Sequence, residues 1–82
     1  NHPNPFNPIT NINFSISGSK TTQTHLSVFD ILGREIEILV NEILKPGNYN
    51  VNWVATNYPS GVYFYKLTAE NYNETRKMIL IK

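Results

Sequence analysis

Short runs in which apolar and polar residues strictly alternate, each cut off by a turn signal, constrain this chain more than any other feature. Ile12, Phe14 and Ile16 alternate with Asn11, Asn13 and Ser15, and Tyr49, Val51 and Trp53 alternate with Asn48, Asn50 and Asn52. A period of two sets one face of a strand against a core and the other in water, whereas a helix needs a period of 3.6. Ser17-Gly18-Ser19-Lys20 breaks the first run, and Lys45-Pro46-Gly47-Asn48 reads as a type II turn, Pro then Gly.

Further runs have the same character. Gln23–Asp30 reads as a strand with Leu26 and Val28 on one face and His25, Ser27 and Phe29 on the other. Ile31-Leu32-Gly33-Arg34 is a tight hairpin in which Gly33 supplies the positive φ. Residues 35–44 are ambiguous: Ile36, Leu39, Val40, Ile43 and Leu44 match a helical face, while Ile36, Ile38 and Val40 match a strand. The preceding hairpin and the β-branched content favour a strand through Val40, with room for a helical turn near Asn41–Leu44. Gly61–Ala69 is apolar on both faces at first, as a central strand is. Glu70-Asn71-Tyr72-Asn73 turns the chain into a last strand, Thr75–Lys82.

The expected fold is therefore all-β: an immunoglobulin-like β-sandwich of six to seven short antiparallel strands over residues 9–82. Ser60-Gly61-Val62-Tyr63 resembles a tyrosine corner, in which a tyrosine at the start of a late strand bonds back to upstream backbone, and Tyr65 then points inward. Trp53, with Tyr49 and Val51, belongs to the core, and Gly33, Trp53, Gly61 and Tyr63 are the structural positions. Residues 1–8 hold three prolines among asparagines; Pro lacks an N–H and pushes its predecessor to extended geometry, so this segment reads as an extended arm or linker anchored by Phe6.

Composition excludes several function classes. Seven Lys/Arg stand against six Asp/Glu, a net charge of +1, too little for a nucleic-acid-binding face. No apolar run approaches the roughly 18–20 residues of a membrane span. There are no cysteines, which removes disulfides, thiolate metal sites and cysteine nucleophiles together. The opening Asn1-His2-Pro3 reads as a cut inside a longer protein. Twelve asparagines read as material for many short connections.

Candidate chemistry is thin. His25 and Ser27 share a strand face, but Asp30 has the opposite parity and opens a turn, so no catalytic group is assigned. Glu35 and Glu37, two apart, read as a charged solvent face; nothing completes an oxygen cage beside them, and neither metal nor cofactor is expected. Tyr58 and Tyr72, in polar segments, are either sugar-stacking platforms or partial lids on the core, the second being the commoner role. Asn13-Phe14-Ser15 and Asn73-Glu74-Thr75 match the glycosylation sequon, a weak signal.

Several stretches, read together, resemble the C-terminal sorting domain of the type IX (Por) secretion system. They are Asn4-Pro5-Phe6-Asn7-Pro8, Val28–Glu35, Pro46-Gly47, Trp53, Ser60–Leu67 and Lys77-Met78, in that family's order and over nearly the whole chain. They also resemble the immunoglobulin-like module of flagellar hook-capping proteins. His2 stands where the sorting family more often has Tyr.

The resemblance implies a non-catalytic signal that directs an attached upstream cargo across the outer membrane to the cell surface, by way of the periplasm. The implied partners are the outer-membrane secretion translocon and a sortase-like peptidase. Pro5, Phe6, Asn7 and Pro8 are implied as the docking arm, and Gly33, Gly61 and Tyr63 as positions of the body. The sorting signal is expected in Lys77, Met78, Ile79, Leu80, Ile81 and Lys82, an apolar run bracketed by lysines. The alternative is a non-catalytic accessory module of an extracellular enzyme, binding carbohydrate or acting as a spacer.

Overall fold

The computed structural model describes residues 9–70 and 72–81. Six strands follow one another along these residues: β1 (Ile9–Ile16), β2 (Thr22–Phe29), β3 (Glu35–Leu44), β4 (Gly47–Val54), β5 (Gly61–Ala69) and β6 (Tyr72–Leu80). All pairings are antiparallel. One sheet holds β1 and β4, the other runs β3-β2-β5-β6, and no described residue is helical. Only β2–β3 and β5–β6 are hairpins; the other three connections cross between the sheets. The expected sandwich is present.

Alternation dictates the packing. Ile12, Phe14 and Ile16 of β1 turn inward, as do Leu26 and Val28 of β2, Val40 of β3 and Tyr63, Leu67 and Ala69 of β5. Trp53 of β4 is fully buried and meets Tyr63 edge-to-face at 5.3 Å, an arrangement aromatic rings favour. Phe14 stacks on Tyr49 at 5.5 Å, joining the two strands of the small sheet.

The structure corrects several expectations. Residues 41–44 form no helical turn: β3 runs on to Leu44 because β2 offers each residue from Val40 to Leu44 a ladder partner, Thr22 opposite Leu44 included. The last strand begins at Tyr72 rather than Thr75, because Glu70 takes a φ of 46° and Ala69 already pairs with Tyr72. Residues 45–48 are not a turn within one sheet. Pro46 has no N–H to continue the ladder of β3, and Gly47, at φ 149°, already opens β4 in the other sheet.

The asparagines of the alternating runs take the outer face that the period of two gives them, and there they bond to one another. Asn11 and Asn13 of β1 face Asn48, Asn50 and Asn52 across the exposed surface of the small sheet. Asn11 donates to Asn50 (2.8 Å) and Asn52 (2.7 Å), Asn50 donates to Asn11 (2.7 Å) and to Asn13, and Ser15 donates to Asn48 (2.7 Å). An amide both donates and accepts, so opposed asparagines satisfy one another in a ladder. Here the residue type that favours turns finishes the outer face of a sheet.

Candidate functional site

The end of the sandwich where β5 begins is built from aromatic side chains and one carboxylate. The Tyr63 hydroxyl donates to the Pro59 carbonyl (2.6 Å), which is the tyrosine corner expected from Ser60–Tyr63. Tyr58, in the segment joining β4 to β5, packs against Trp53 (5.6 Å) and Tyr63 (6.3 Å). Its hydroxyl donates to the Ile36 carbonyl (3.1 Å) and to Glu37 Oε1 (3.2 Å). The same oxygen accepts the Trp53 indole N–H at 3.1 Å. Burial, and then the bond to Glu37, hold the Tyr58 phenol above its ordinary pKa. Tyr58 is thus a lid on the core, with its hydroxyl already occupied.

Glu37 was expected on the same solvent face as Glu35, and it is not. The pairing of β2 with β3 shifts register between Leu26 and Ser27 and again between Val28 and Phe29. A bulge changes side-chain parity, so Glu37 comes opposite inward-facing Val28 and reaches the Trp53 indole. Glu37→Leu should cost about 2 kcal/mol, since it strands the buried indole N–H while the Tyr58 hydroxyl keeps the Ile36 carbonyl, and Glu37→Gln keeps an acceptor and should lose less than half as much. Thermal melts of the two variants check this; equal losses would mean that the carboxylate oxygen carries nothing.

Glu35 stays outside and joins His25 and Ser27. Ser27 Oγ lies 2.5 Å from His25 Nε2, and Glu35 Oε2 lies 3.3 Å from that same nitrogen. Hydrogen bonds from Ser27, then from His25, hold the Glu35 carboxyl below its ordinary pKa. This is no nucleophilic triad. Serine and carboxylate crowd one imidazole nitrogen, where a triad places them on opposite nitrogens. Ser27 is also buried.

Asp30 takes no part in this cluster. It sets the β2–β3 hairpin, accepting the backbone N–H of Leu32 (2.9 Å) and Arg34 (3.0 Å) at Oδ1 and the Arg34 guanidinium (2.7 Å) at Oδ2. The Arg34 backbone bond, with further help from the Arg34 side chain and Leu32 N–H, lowers its pKa. Gly33 occupies the expected positive φ, 83°. The hairpin tip is therefore rigid, yet it presents Ile31 (68% exposed) and Leu32 (74%) to water.

Among the described residues β6 is the outermost strand of the large sheet, paired with β5 on one side. Leu80 is buried and Met78 packs against the core, whereas Lys77 is exposed, as are Ile79 (64%) and Ile81 (78%). Two side chains thus anchor the strand while its alternates face water. Earlier in β6, Glu74 accepts from the Tyr72 hydroxyl (2.6 Å) and from Arg76 Nε (2.5 Å). Tyr72 lies in the strand, not in a loop as expected, and it lines a polar groove between β1 and β6. Of the sequence-predicted site residues, Pro5, Phe6, Asn7, Pro8 and Lys82 lie outside the described residues.

Comparison with known proteins decides the family. Residues 2–82 match the secretion system C-terminal sorting domain family, Por_Secre_tail. The chain belongs to that family. No curated protein and no solved structure matches it. As a sorting domain it is a C-terminal signal for type IX secretion, which implies a cargo upstream in the same chain, type IX machinery as partner, and export to the cell surface or extracellular space. The family is one of signals rather than catalysts. Among the described residues no set of three metal-ligating side chains comes together and no helix is long and apolar enough to cross a membrane.

Proposed function

We propose that the secretion machinery reads this sorting domain through Lys77–Lys82, the end of its last strand and the residues that follow it. The observation that carries the proposal is the position of β6 at the edge of the large sheet, with Met78 and Leu80 turned inward and Lys77, Ile79 and Ile81 outward. An edge strand carries a row of N–H and C=O groups that a partner strand can pair with, backbone giving affinity and alternate side chains giving register. Lysines at such an edge also keep folded copies from pairing with one another, so the same residues guard the strand until its receptor arrives.

In this reading the cargo passes through the periplasm with its sorting domain folded. The outer-membrane translocon adds a strand beside β6, and a sortase-like peptidase acts on the delivered protein afterwards. The experiment is a fusion extended past Lys82 by a long polar tail. It should fold, with its cargo held in the periplasm.

A further inference from the structure

We infer that the strand added beside β6 carries two apolar side chains and then a carboxylate, at alternate positions, set against Ile81, Ile79 and Lys77. This inference rests on the reading of β6 as the recognised edge, and it names the chemistry of what pairs there.

The two halves of β6 differ in what the domain itself satisfies. In the first half Glu74 accepts from the Tyr72 hydroxyl and from Arg76, and Asn73 accepts from Thr68 of β5. In the second half Ile79 and Ile81 stand largely in water, and among the described residues Lys77 has no ion pair.

No acidic side chain of the domain is placed to neutralise Lys77. Asp30 is held by Arg34, Glu35 by Ser27 and His25, Glu37 by Trp53 and Tyr58, and Glu74 by Arg76. Glu42 lies on β3, at the opposite edge of the sheet, and Glu70 precedes the start of β6. The edge thus offers a cation and two large apolar side chains, spaced by two residues on one face.

That spacing is the repeat of a strand. Residues directly opposite in an antiparallel ladder touch, so apolar and opposite-charge pairs hold a register and like charges reject it. Every described pairing in this fold is antiparallel. A strand added in the same sense meets Ile81, Ile79 and Lys77 in that order, and its matching pattern from N to C is apolar, any, apolar, any, acidic.

A second copy of this chain does not supply the pattern. The outward residues of its β6 are Asn73, Thr75, Lys77 and Ile79, with no carboxylate among them. The outward carboxylate of its other edge strand, Glu35 of β3, is already bonded to Ser27 and His25. The occupant is therefore a foreign strand bearing an acid of its own.

The probe is a blocked heptapeptide, Thr-Val-Thr-Val-Thr-Glu-Thr, with a control that has Lys in place of Glu. Each is titrated into the 82-residue chain and followed by backbone amide resonances. The Glu peptide should shift the amides of residues 77–81 and bind at least about threefold more tightly than the Lys peptide, because an attractive pair replaces a repulsive one. Lys77→Glu, at an exposed position, should leave the melting temperature in place and reverse the preference, and added salt should shrink it. Equal affinity of the two peptides at β6 would overturn the inference while leaving the edge-strand reading in place. A preference that Lys77→Glu does not reverse would overturn it too. Amides of β6 that stay unmoved at millimolar peptide would overturn the inference and the edge-strand reading together.

Discussion

Trp53→Ala is expected to remove about 3–5 kcal/mol of stability, the usual effect of truncating a large buried aromatic to a methyl. A domain of this size has a total of only about 4–12 kcal/mol, so the variant should melt on the order of 20 °C lower or fail to fold. The cavity would open at the junction of both sheets, where Trp53 is fully buried against Tyr63 and Tyr58. It would also deprive Glu37 of its indole donor, so hydrogen bonding falls with packing. Trp53→Phe keeps a ring in place and should retain more than half of the lost stability. Circular dichroism melts of the three proteins decide the matter. A Trp53→Ala variant that melts within a few degrees of the parent would refute the assignment of this residue as the centre of the core.

Extension of the chain past Lys82 is expected to abolish export while leaving the sandwich intact. Deletion of Lys77–Lys82 cannot separate those effects, because Leu80 is buried and Met78 packs against the core, so the truncated domain loses part of its interior. A long polar tail leaves both side chains in place and obstructs the free end of β6. If the machinery reads that strand, the tailed fusion should have the parent's melting temperature and its cargo should accumulate in the periplasm. An ordinary last strand, whose lysines only keep an edge soluble, would tolerate the tail. Surface delivery of a folded, tailed fusion at the parent's level would move the signal elsewhere in the domain.

The strands were legible because each writes its burial into a period of two. Ile12-Phe14-Ile16 and Tyr49-Val51-Trp53 turn the predicted side chains inward, although Tyr49 and Val51 are only half-buried at the rim of the small sheet. The tyrosine corner was legible too, since Gly61 and Tyr63 at the start of a strand need only local geometry to bring the hydroxyl to Pro59. Glu37 was not legible. Its inward turn depends on two register shifts between β2 and β3, a property of the pair that neither strand carries alone. The outward face of the asparagines was legible but their pairing was not, for a related reason: opposed amides on a sheet exist only once β1 has found β4. Tyr72 was displaced into a strand by the positive φ of Glu70, a conformation no glycine announced. The site lies at one edge and one end of the fold, and its motif residues before Ile9 could be placed by order along the chain but not by any period.

The central claim is that this domain is a signal, sufficient by itself to send an attached protein to the cell surface. The direct measurement fuses residues 1–82 to the C-terminus of a periplasmic passenger in a bacterium with a working type IX system, and scores the passenger on intact cells by its susceptibility to added protease. The passenger should be cleaved when it carries the domain and spared when it does not, with a secretion-deficient host sparing both. A folded fusion that stays in the periplasm as completely as the bare passenger would contradict the claim.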